Sequence, residues 1–211
     1  MCAPPRGEKL CVVTVGQVTD ACRAWACQSQ RMLIVLAGAS GVGKTKLLLH
    51  LKGACPEIDW HDFDERWRGG GTAERQQLTD EWIRASLGTG RTLGLLGPCP
   101  LGEVLAAPSM PAAALVRHAL LDVGDVERIT RLRTRGDGQD TQDVLNWSAW
   151  LRLHHHDPLW RPDVITQGGW PDMKWDRWLT GHRSGWPAPT LDVSGLSPAR
   201  SAALIRRWLT G

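Results

Sequence analysis

A glycine-rich segment in the first quarter of the chain constrains the fold more than any other feature. It reads Gly38-Ala39-Ser40-Gly41-Val42-Gly43-Lys44-Thr45 and matches the pattern G-x-x-x-x-G-K-[ST]. An apolar run at residues 33–37 precedes it, as expected of a buried parallel strand, and a helix-forming run at 46–51 follows it. Glycines let the backbone wrap closely around an anion, and a helix start adds the positive end of its dipole. This glycine-rich loop is therefore predicted to bind the β- and γ-phosphates of a nucleotide, with Lys44 at the phosphates and Thr45 at Mg²⁺.

Predicted strands and helices alternate from residue 31 onward, the pattern of a parallel sheet with crossover helices. Apolar runs predict strands at residues 32–37, 57–61, 92–96, 113–121 and 190–193. Helices are predicted at residues 44–52, 72–87, 123–135 and 141–154. A final helix is expected with Ser197 as its N-cap and Pro198 as its first residue. We therefore predict a three-layer α/β/α domain over residues 31–211, with a mostly parallel five-stranded sheet. Residues 1–30 are expected to be an N-terminal extension, either packed or poorly ordered.

Charge, hydropathy and cysteine content exclude several classes of protein. The net charge of +3 gives no argument for a nucleic-acid or membrane partner. No apolar stretch of the 211 residues approaches the length of about 18 that a membrane span needs. Six cysteines are scattered without a C-x-x-C pair, so neither a disulfide framework nor a zinc site is expected. Free thiols indicate the cytoplasm, and the chain is expected to be a monomer or a homodimer.

Two aspartates follow the second predicted strand. Asp62 and Asp64 flank Phe63 at its carboxyl end, the edge where open α/β sheets bind ligands. Residues two apart on a strand share a face, so both carboxylates are expected to point the same way. A carboxylate there can hold Mg²⁺ or accept a proton from an attacking hydroxyl. The alternative is a solvated acidic turn. The third predicted strand ends without an aspartate, which assigns the metal to Thr45 and Asp62 and leaves Asp64 as base or metal ligand.

Arginines recur along the helix predicted at residues 123–135. Arg128, Arg131 and Arg135 lie at i, i+3 and i+7 and share one helical face. Phosphoryl transfer needs cations around the equatorial oxygens of the transferred group, and a guanidinium supplies two-pronged donors that stay charged. The segment is therefore predicted to be a mobile lid that closes over the nucleotide and excludes water. The alternative is a basic, solvated helix.

Other polar and aromatic residues are weaker candidates. Five charged residues have two interpretations: they line an acceptor pocket, or they occupy ordinary surface or helix-start positions. They are Arg66, Arg68, Arg75, Arg84 and Glu103. Three consecutive histidines at residues 154–156 lack the spacing of a metal site, so a cationic or capping helix end is favoured. Four tryptophans of the second half are expected to form a small core cluster in preference to a base-stacking platform. They are Trp170, Trp175, Trp178 and Trp186.

Taken together, these motifs resemble the small P-loop kinases of the nucleoside/nucleotide-kinase type, which include adenylate, shikimate and gluconate kinases. The resemblance spans residues 30–211 and is closest to an uncharacterised bacterial branch with a Trp-rich second half. It implies phosphate and metal roles for Lys44 and Thr45. Asp62 and Asp64 match the D-x-D pair of shikimate-like members, which serves metal and acceptor. Arg131 and Arg135 match lid arginines, and the segment after residue 190 is implied to lie near the adenine. The glycine-rich acceptor motif of shikimate kinases is missing.

The sequence as a whole predicts an ATP- and Mg²⁺-dependent kinase that phosphorylates a hydroxyl group of a small molecule. ATP is assigned to residues 38–45 and Arg128. Catalysis is assigned to Lys44, Asp62, Asp64, Arg131 and Arg135. The alternatives are a nucleoside monophosphate kinase, a P-loop ATPase or switch without a small-molecule acceptor, and a nucleotide-binding module without chemistry. An N/T-K-x-D guanine motif is absent, which disfavours a GTPase.

Overall fold

The structure, a computed structural model, describes residues 32–110, 115–181 and 185–211. The predicted N-terminal extension therefore lies outside the described residues. Five strands are described: β1 (Met32–Ala37), β2 (Asp59–Asp62), β3 (Leu93–Gly97), β4 (Leu115–Asp122) and β5 (Thr190–Asp192). A 3₁₀ turn spans Phe63–Arg66. The helices are α1 (Lys44–Ala54), α2 (Thr72–Thr89), α3 (Leu101–Ala106), α4 (Asp125–Arg135), α5 (Gln142–His156), α6 (Asp163–Thr166), α7 (Asp176–Leu179) and α8 (Pro198–Thr210).

The described strands form one sheet in the order β2-β3-β1-β4-β5, and every adjacent pair is parallel. β1 occupies the centre, where Leu36 pairs with Leu96 of β3 and with Ala119 of β4. A strand with neighbours on both sides and helices on both faces has no solvated side, which is why β1 is apolar along its whole length. The predicted five-stranded α/β fold is confirmed.

Helices cover both faces of the sheet and bury two sets of strand residues. On one face, Leu51 of α1 and Ile205 of α8 pack with Ile34 and Leu36. On the other face, Trp82 of α2 packs with Val35. A third cluster joins Leu120 of β4 to Trp150 and Leu151 of α5 and to Trp178 of α7. Alternate residues of the strands therefore point into opposite layers, which gives the predicted three-layer arrangement.

Element boundaries differ from the predictions by a few residues. β2 begins at Asp59 and extends to Asp62, whereas the prediction was residues 57–61. β4 is described from Leu115, and the first part of its predicted range lies outside the described residues. The final helix has Ser197 as N-cap and Pro198 in its first turn, as predicted. α3 was not predicted, because its short run of six residues gives little periodicity.

The Trp-rich second half contributes to the third core cluster. Trp178 is fully buried, and Trp170, Trp175 and Trp186 pack against the same cluster. The prediction of a small aromatic core is confirmed. Within the described ranges, no helix is long and apolar enough to cross a bilayer.

Candidate functional site

The glycine-rich loop joins the end of the central strand to the start of α1. Gly41 and Gly43 have φ values of 85° and 96°, in the left-handed region that side chains rarely adopt. A Cβ atom on Gly41 would lie 3.0 Å from side-chain carbons of both Arg128 and Leu132. The backbone amide of Gly38 donates to the carbonyl of Gly97 over 3.0 Å, which anchors the loop to β3. The turn therefore favours glycine at both positions, and the close approach of α4 additionally requires it at Gly41.

Lys44, the first residue of α1, folds back over the loop. Its Nζ donates to the carbonyl of Gly38 at 2.7 Å and to that of Ala39 at 3.3 Å. Burial of the ammonium lowers the pKa of Lys44 to about 8, against the opposing attraction of Asp64 and Asp62. The loop thus holds the Lys44 cation beside its own backbone. An anion bound there, such as a phosphate, would restore the ordinary pKa of Lys44.

Thr45 and Asp62 meet between α1 and β2. Thr45 Oγ1 donates to Asp62 Oδ2 over 3.2 Å, and the Asp62 carboxylate is only 8% exposed. The other carboxylate oxygen accepts from the backbone amide of Asp64, so Asp62 also caps the 3₁₀ turn. A hydroxyl and a carboxylate in contact at this position are the hard oxygen donors that Mg²⁺ prefers, so this pair fits a magnesium ion.

Asp64 lies in the 3₁₀ turn that begins directly after β2. The expectation that alternation along a strand orients Asp62 and Asp64 does not apply, because β2 ends at Asp62. Asp64 is exposed and lines the cavity described below. Partial burial of its carboxyl, together with the nearby Asp62 charge, raises the pKa of Asp64, and Lys44 partly offsets that rise. A carboxylate with a raised pKa is a better proton acceptor than an ordinary aspartate.

Arg128 lies behind the loop, on α4, and is 0% exposed. Its guanidinium donates to the carbonyl of Ser40 at 2.8 Å and to that of Val123 at 3.2 Å. It also pairs with Asp122, the last residue of β4, at 2.5 Å. The described partners of the Arg128 guanidinium are all groups of the protein itself, so the geometry gives Arg128 the role of supporting the loop. Its predicted direct contact with ATP stays a prediction.

Arg131, one turn further along α4, reaches the rim of the loop. Its guanidinium donates to the carbonyl of Val42 at 3.1 Å and pairs with Glu127. The second oxygen of Glu127 accepts from the backbone amide of Gly195 at 2.9 Å. Glu127 therefore ties Arg131 to the segment that joins β5 to α8. The link between Glu127 and Gly195 joins residues 68 positions apart, so no local sequence pattern indicates it.

Arg135 ends α4 and is exposed. It pairs with Asp137 at 2.6 Å and lines the same cavity as Arg131. Arg133 instead pairs with Asp140 at 3.4 Å, away from the loop. Along α4, the arginines thus pass from fully buried at Arg128 through partly buried at Arg131 to exposed at Arg135. The base of the predicted lid is packed against the loop, and the solvent-exposed part is its tip.

One cavity of about 1090 Å³ at the carboxyl ends of the strands is bordered by Lys44, Thr45, Asp64, Arg131 and Arg135. The loop from Ser40 to Thr45 forms its floor, and Arg131 and Arg135 form one wall. Its two ends differ in character, because Asp64 and Trp67 line one and the segment after β5 lines the other. The residues of this second end are Val193, Leu196, Pro198 and Ser201. The geometry provides a phosphate-sized floor between a carboxylate end and a largely apolar end.

Four of the five weaker acceptor candidates have other partners, and the fifth, Arg68, is exposed and is not among the residues that line the cavity. Arg75 forms a two-pronged ion pair with Glu103, which is fully buried. Arg66 lies over the ring of Trp82 at 3.8 Å from its centroid. Arg84 pairs with Asp80 at 3.0 Å. Glu103 begins a helix, the alternative that the sequence left open, and its charge is matched inside the protein.

The three consecutive histidines do not form a cationic helix end. His154 and His155 are fully buried, and burial lowers the pKa of His154 to about 3 and that of His155 to about 4. His154 stacks on Trp150, and His155 contacts His118 of β4 through ring nitrogens 3.1 Å apart. The cationic part of the favoured interpretation was therefore wrong for these two residues, because tertiary packing removes them from water, whereas His155 Nδ1 does contact the carbonyl of Leu151 near the helix end, at 2.8 Å. Among the described residues, no cluster of three or more His, Cys, Asp or Glu side chains suits a metal ion.

Sequence reasoning missed one residue that lines the cavity, Trp67, and one that supports α4 behind it, Asp122. Trp67 gave no signal because a single tryptophan in a loop carries no pattern. Asp122 holds both Arg128 and Arg152, the latter at 3.1 Å, and sits at the end of β4. Its position at a strand end was a usable signal, since functional and supporting groups gather at that edge.

Comparison with known proteins identifies relatives by structure alone. The sequence matches no family model, and it matches no curated protein. Among the solved structures that share the fold are three with a TM-score of 0.50 each. The tunicamycin resistance protein of Deinococcus radiodurans is 16% identical, and the match covers 85% of this chain and 95% of that one. A gluconokinase from Sinorhizobium meliloti 1021 is 13% identical, with 87% and 95% covered. A sugar kinase from Janibacter sp. HTCC2649 is 14% identical, with 85% and 94% covered.

At these identities the likeness establishes the fold and nothing finer. The chain has the three-layer α/β fold of P-loop kinase-like proteins, with an all-parallel five-stranded sheet. The predicted tie to a Trp-rich bacterial branch is not confirmed by these matches. The assignment of individual site residues stays a prediction that the geometry above makes specific.

Proposed function

We propose that this protein is an ATP-dependent kinase that transfers the γ-phosphoryl group to a hydroxyl group of a small molecule. The observation that carries the proposal is that Lys44, Asp64 and Arg131 line the same cavity, whose floor is the glycine-rich loop. A phosphate-binding floor, a proton acceptor and arginines on one wall are the groups that phosphoryl transfer requires. The fold is also that of a protein named gluconokinase and one named sugar kinase.

The donor nucleotide would lie with its phosphates on the loop. Left-handed Gly41 and Gly43 shape the floor, and α1 begins there with its positive dipole end. Lys44 would exchange its two loop carbonyls for phosphate oxygens, and Arg131 would turn toward the transferred group. The apolar end of the cavity, at Val193 and Leu196, would take the adenine.

The acceptor would approach from the end of the cavity that Asp64 lines. Its hydroxyl oxygen forms a bond to the γ-phosphorus while the bond from that phosphorus to the β–γ bridging oxygen breaks. The electron pair of the broken bond leaves with ADP, and the hydroxyl proton moves to the Asp64 carboxylate. Lys44, Arg131 and Arg135 would stabilise the negative charge on the transferred group. Asp64 acts as the base in this scheme, since its raised pKa suits proton acceptance.

Thr45 and Asp62 would hold the magnesium ion, Thr45 through its hydroxyl and Asp62 directly or through water. When bound, the ion supplies charge neutralisation to the β- and γ-phosphate oxygens. The protein side of this arrangement is the fixed Asp62 carboxylate, which the 3₁₀ turn holds in place. The proposed partner is the small-molecule acceptor alone. The proposed compartment is the cytoplasm, in accord with six cysteines in the sequence that are scattered without the pattern of a disulfide framework.

The proposal is tested by product formation with the Lys44→Ala variant. Wild-type protein, ATP, Mg²⁺ and a panel of sugars, nucleosides and amino alcohols are combined, and phosphorylated product is identified by mass spectrometry. Lys44→Ala is expected to form no measurable product, whereas Lys52→Ala, an exposed lysine in the last turn of the same helix, keeps wild-type activity. Equal activity of Lys44→Ala and wild type would overturn the assignment. ADP release that is independent of every acceptor would indicate an ATPase or switch instead.

A further inference from the structure

An aromatic ring lies at the acceptor end of the cavity. Trp67 follows the 3₁₀ turn, and its backbone amide donates to the carbonyl of Asp64 over 3.2 Å. The Trp67 ring is partly buried and lines the cavity together with Asp64. Among the described residues that border the cavity, Trp67 is the one aromatic side chain.

The core holds the Trp67 ring in place. The ring lies 6.2 Å from that of Phe63, centroid to centroid, at an angle of 37°. Phe63 is fully buried beneath β3 and α2, and Trp67 packs against the same cluster. A ring fixed from one side and open on the other is a preformed flat surface, since it loses little conformational freedom when a ligand stacks on it.

Among the described residues, no arginine lines the cavity beside Asp64 and Trp67, and the exposed Arg68 is not one of its lining residues. Arg66 lies over the Trp82 ring, and Arg75 is paired with the fully buried Glu103. The carboxylate of Asp64 adds negative charge at the same end. A second phosphate on the acceptor would need free arginines and would be repelled by Asp64. The described surface therefore disfavours an anionic acceptor and favours an uncharged one.

We propose that the acceptor is an uncharged hydroxyl compound built on a ring, which stacks its carbon-rich face on Trp67 while its hydroxyl group reaches Asp64. This inference rests on the proposed kinase function and narrows it. Free sugars and nucleosides both offer this shared chemistry, a hydroxyl group on a ring with an apolar face. Open-chain alcohols lack the flat face, and nucleoside monophosphates carry the wrong charge.

The experiment compares matched acceptors with wild-type protein, ATP and Mg²⁺. Ribose and glucose are paired with their open-chain alditols, ribitol and glucitol, and ribonucleosides are paired with the corresponding monophosphates. Phosphorylation of ring compounds at a higher kcat/KM than of their open-chain or monophosphate partners supports the proposal, and the sugar and nucleoside arms separate the two sources. Equal or better use of alditols or monophosphates overturns it, as does the absence of product from every ring compound.

A pair of variants tests the ring of Trp67 itself. Trp67→Ala is expected to raise KM for the ring acceptor about tenfold, because stacking contacts of this kind contribute on that scale. Trp67→Phe keeps an aromatic surface and is expected to rescue most of the loss. KM for ATP is expected to be unchanged in both, and thermal unfolding confirms that both fold. A loss that Phe does not rescue, or one shared equally by open-chain acceptors, contradicts stacking.

The two proposals fail in different ways. If the kinase function is wrong, wild type and Lys44→Ala give the same result with acceptors of both classes. If only the ring proposal is wrong, Lys44→Ala still abolishes product while ring and open-chain acceptors are used equally.

Discussion

Thr45 Oγ1 and Asp62 Oδ2 lie 3.2 Å apart, joined by a hydrogen bond between the start of α1 and the end of β2. Neither residue is near the other in the sequence, and parallel packing of β2, β3 and β1 brings them to one edge. The contact converts a hydroxyl and a carboxylate into a pair that fits a magnesium ion. The proposed metal role of the site depends on this relationship.

Asp62→Asn is expected to raise the Mg²⁺ concentration needed for half-maximal activity about tenfold or more, the scale seen when partners of a metal site are removed. The amide retains the hydrogen bond from Thr45 but loses the negative charge. Titration of activity with Mg²⁺ at saturating ATP measures the effect. Asp59→Asn, at the other end of β2, is the control and is expected to leave the titration unchanged. An unchanged midpoint in Asp62→Asn would show that the pair is structural.

Arg128→Ala is expected to destabilise the protein by about 3 kcal/mol, because it removes a fully buried guanidinium that pairs with Asp122, which keeps only Arg152, and that donates to the carbonyls of Ser40 and Val123. The side chain holds Asp122 and the carbonyl of Ser40. Denaturant unfolding measures the change, and ATP affinity is expected to fall with it.

Arg135→Ala provides the contrast for Arg128, since Arg135 is exposed and pairs only at the surface with Asp137 among its described ion pairs. The stability of the Arg135→Ala variant is expected to match that of wild type. Its kcat is expected to fall, because the proposed contact of Arg135 with the transferred group forms in the transition state. If Arg128→Ala were as stable as wild type and lost only ATP affinity, the direct contact predicted from the sequence would be favoured over support of the loop.

The pH dependence of kcat/KM for ATP is expected to be bell-shaped. Lys44 is charged below its pKa, which burial lowers to about 8, so activity declines as pH rises through that value. Asp64 accepts a proton only when ionised, and burial raises its pKa, so the acid limb lies above the ordinary range of an aspartate. The pH dependence of kcat/KM reports the pKa values of the free enzyme, whereas that of kcat reports those of the enzyme with its substrates bound. Because bound phosphates would raise the pKa of Lys44, the alkaline limb of the kcat profile is expected at higher pH than that of kcat/KM.

Lys44→Arg serves as the control for the alkaline limb, since a guanidinium stays charged throughout this range. Its residual kcat/KM is expected to remain flat past pH 8. An alkaline limb at the same pH in this variant would assign that limb to another group.

Stability is expected to fall as pH drops from about 6.5 towards 4, the window set by the buried histidines. In the folded protein, burial lowers the pKa of His154 to about 3 and of His155 to about 4. The unfolded chain binds protons on both below about pH 6.5, whereas the folded chain does not, so acid favours unfolding. Free energies of unfolding between pH 4 and 7 measure the slope.

His154→Gln removes one titrating group and is expected to flatten that slope. His156→Gln, on the exposed side of the same helix end, is expected to leave the slope unchanged. Parallel pH curves for wild type and His154→Gln would show that His154 titrates normally and that its burial is incomplete in solution.

Local sequence patterns predicted most of the fold. The apolar run of β1, the Ser197 and Pro198 start of α8 and the glycine spacing of the loop each act within a few residues, so their consequences are legible without neighbours. The misplaced end of β2 and the missed α3 have a common cause. The end of β2 and the position of α3 both depend on where the chain next packs against the core. At the end of β2, for example, Asp62 caps the 3₁₀ turn that follows.

Only the tertiary structure assigned distinct environments to chemically similar residues. Arg128, Arg131 and Arg135 share one face in the sequence pattern, yet packing of α4 on the loop buries the first and exposes the last. His154 and His155 lie in a polar run, yet contacts with Trp150 and β4 remove them from water.

The sequence by itself determined that a glycine-rich loop follows a buried strand and that two aspartates and a row of arginines accompany it. Tertiary structure decided that Lys44, Asp64, Trp67 and Arg131 border one cavity and that Asp62 contacts Thr45. The physical reason is the distance along the chain over which each kind of interaction acts. Backbone conformation and periodicity are set by neighbours along the chain, whereas burial, charge pairing and pKa depend on residues that only the folded sheet brings together.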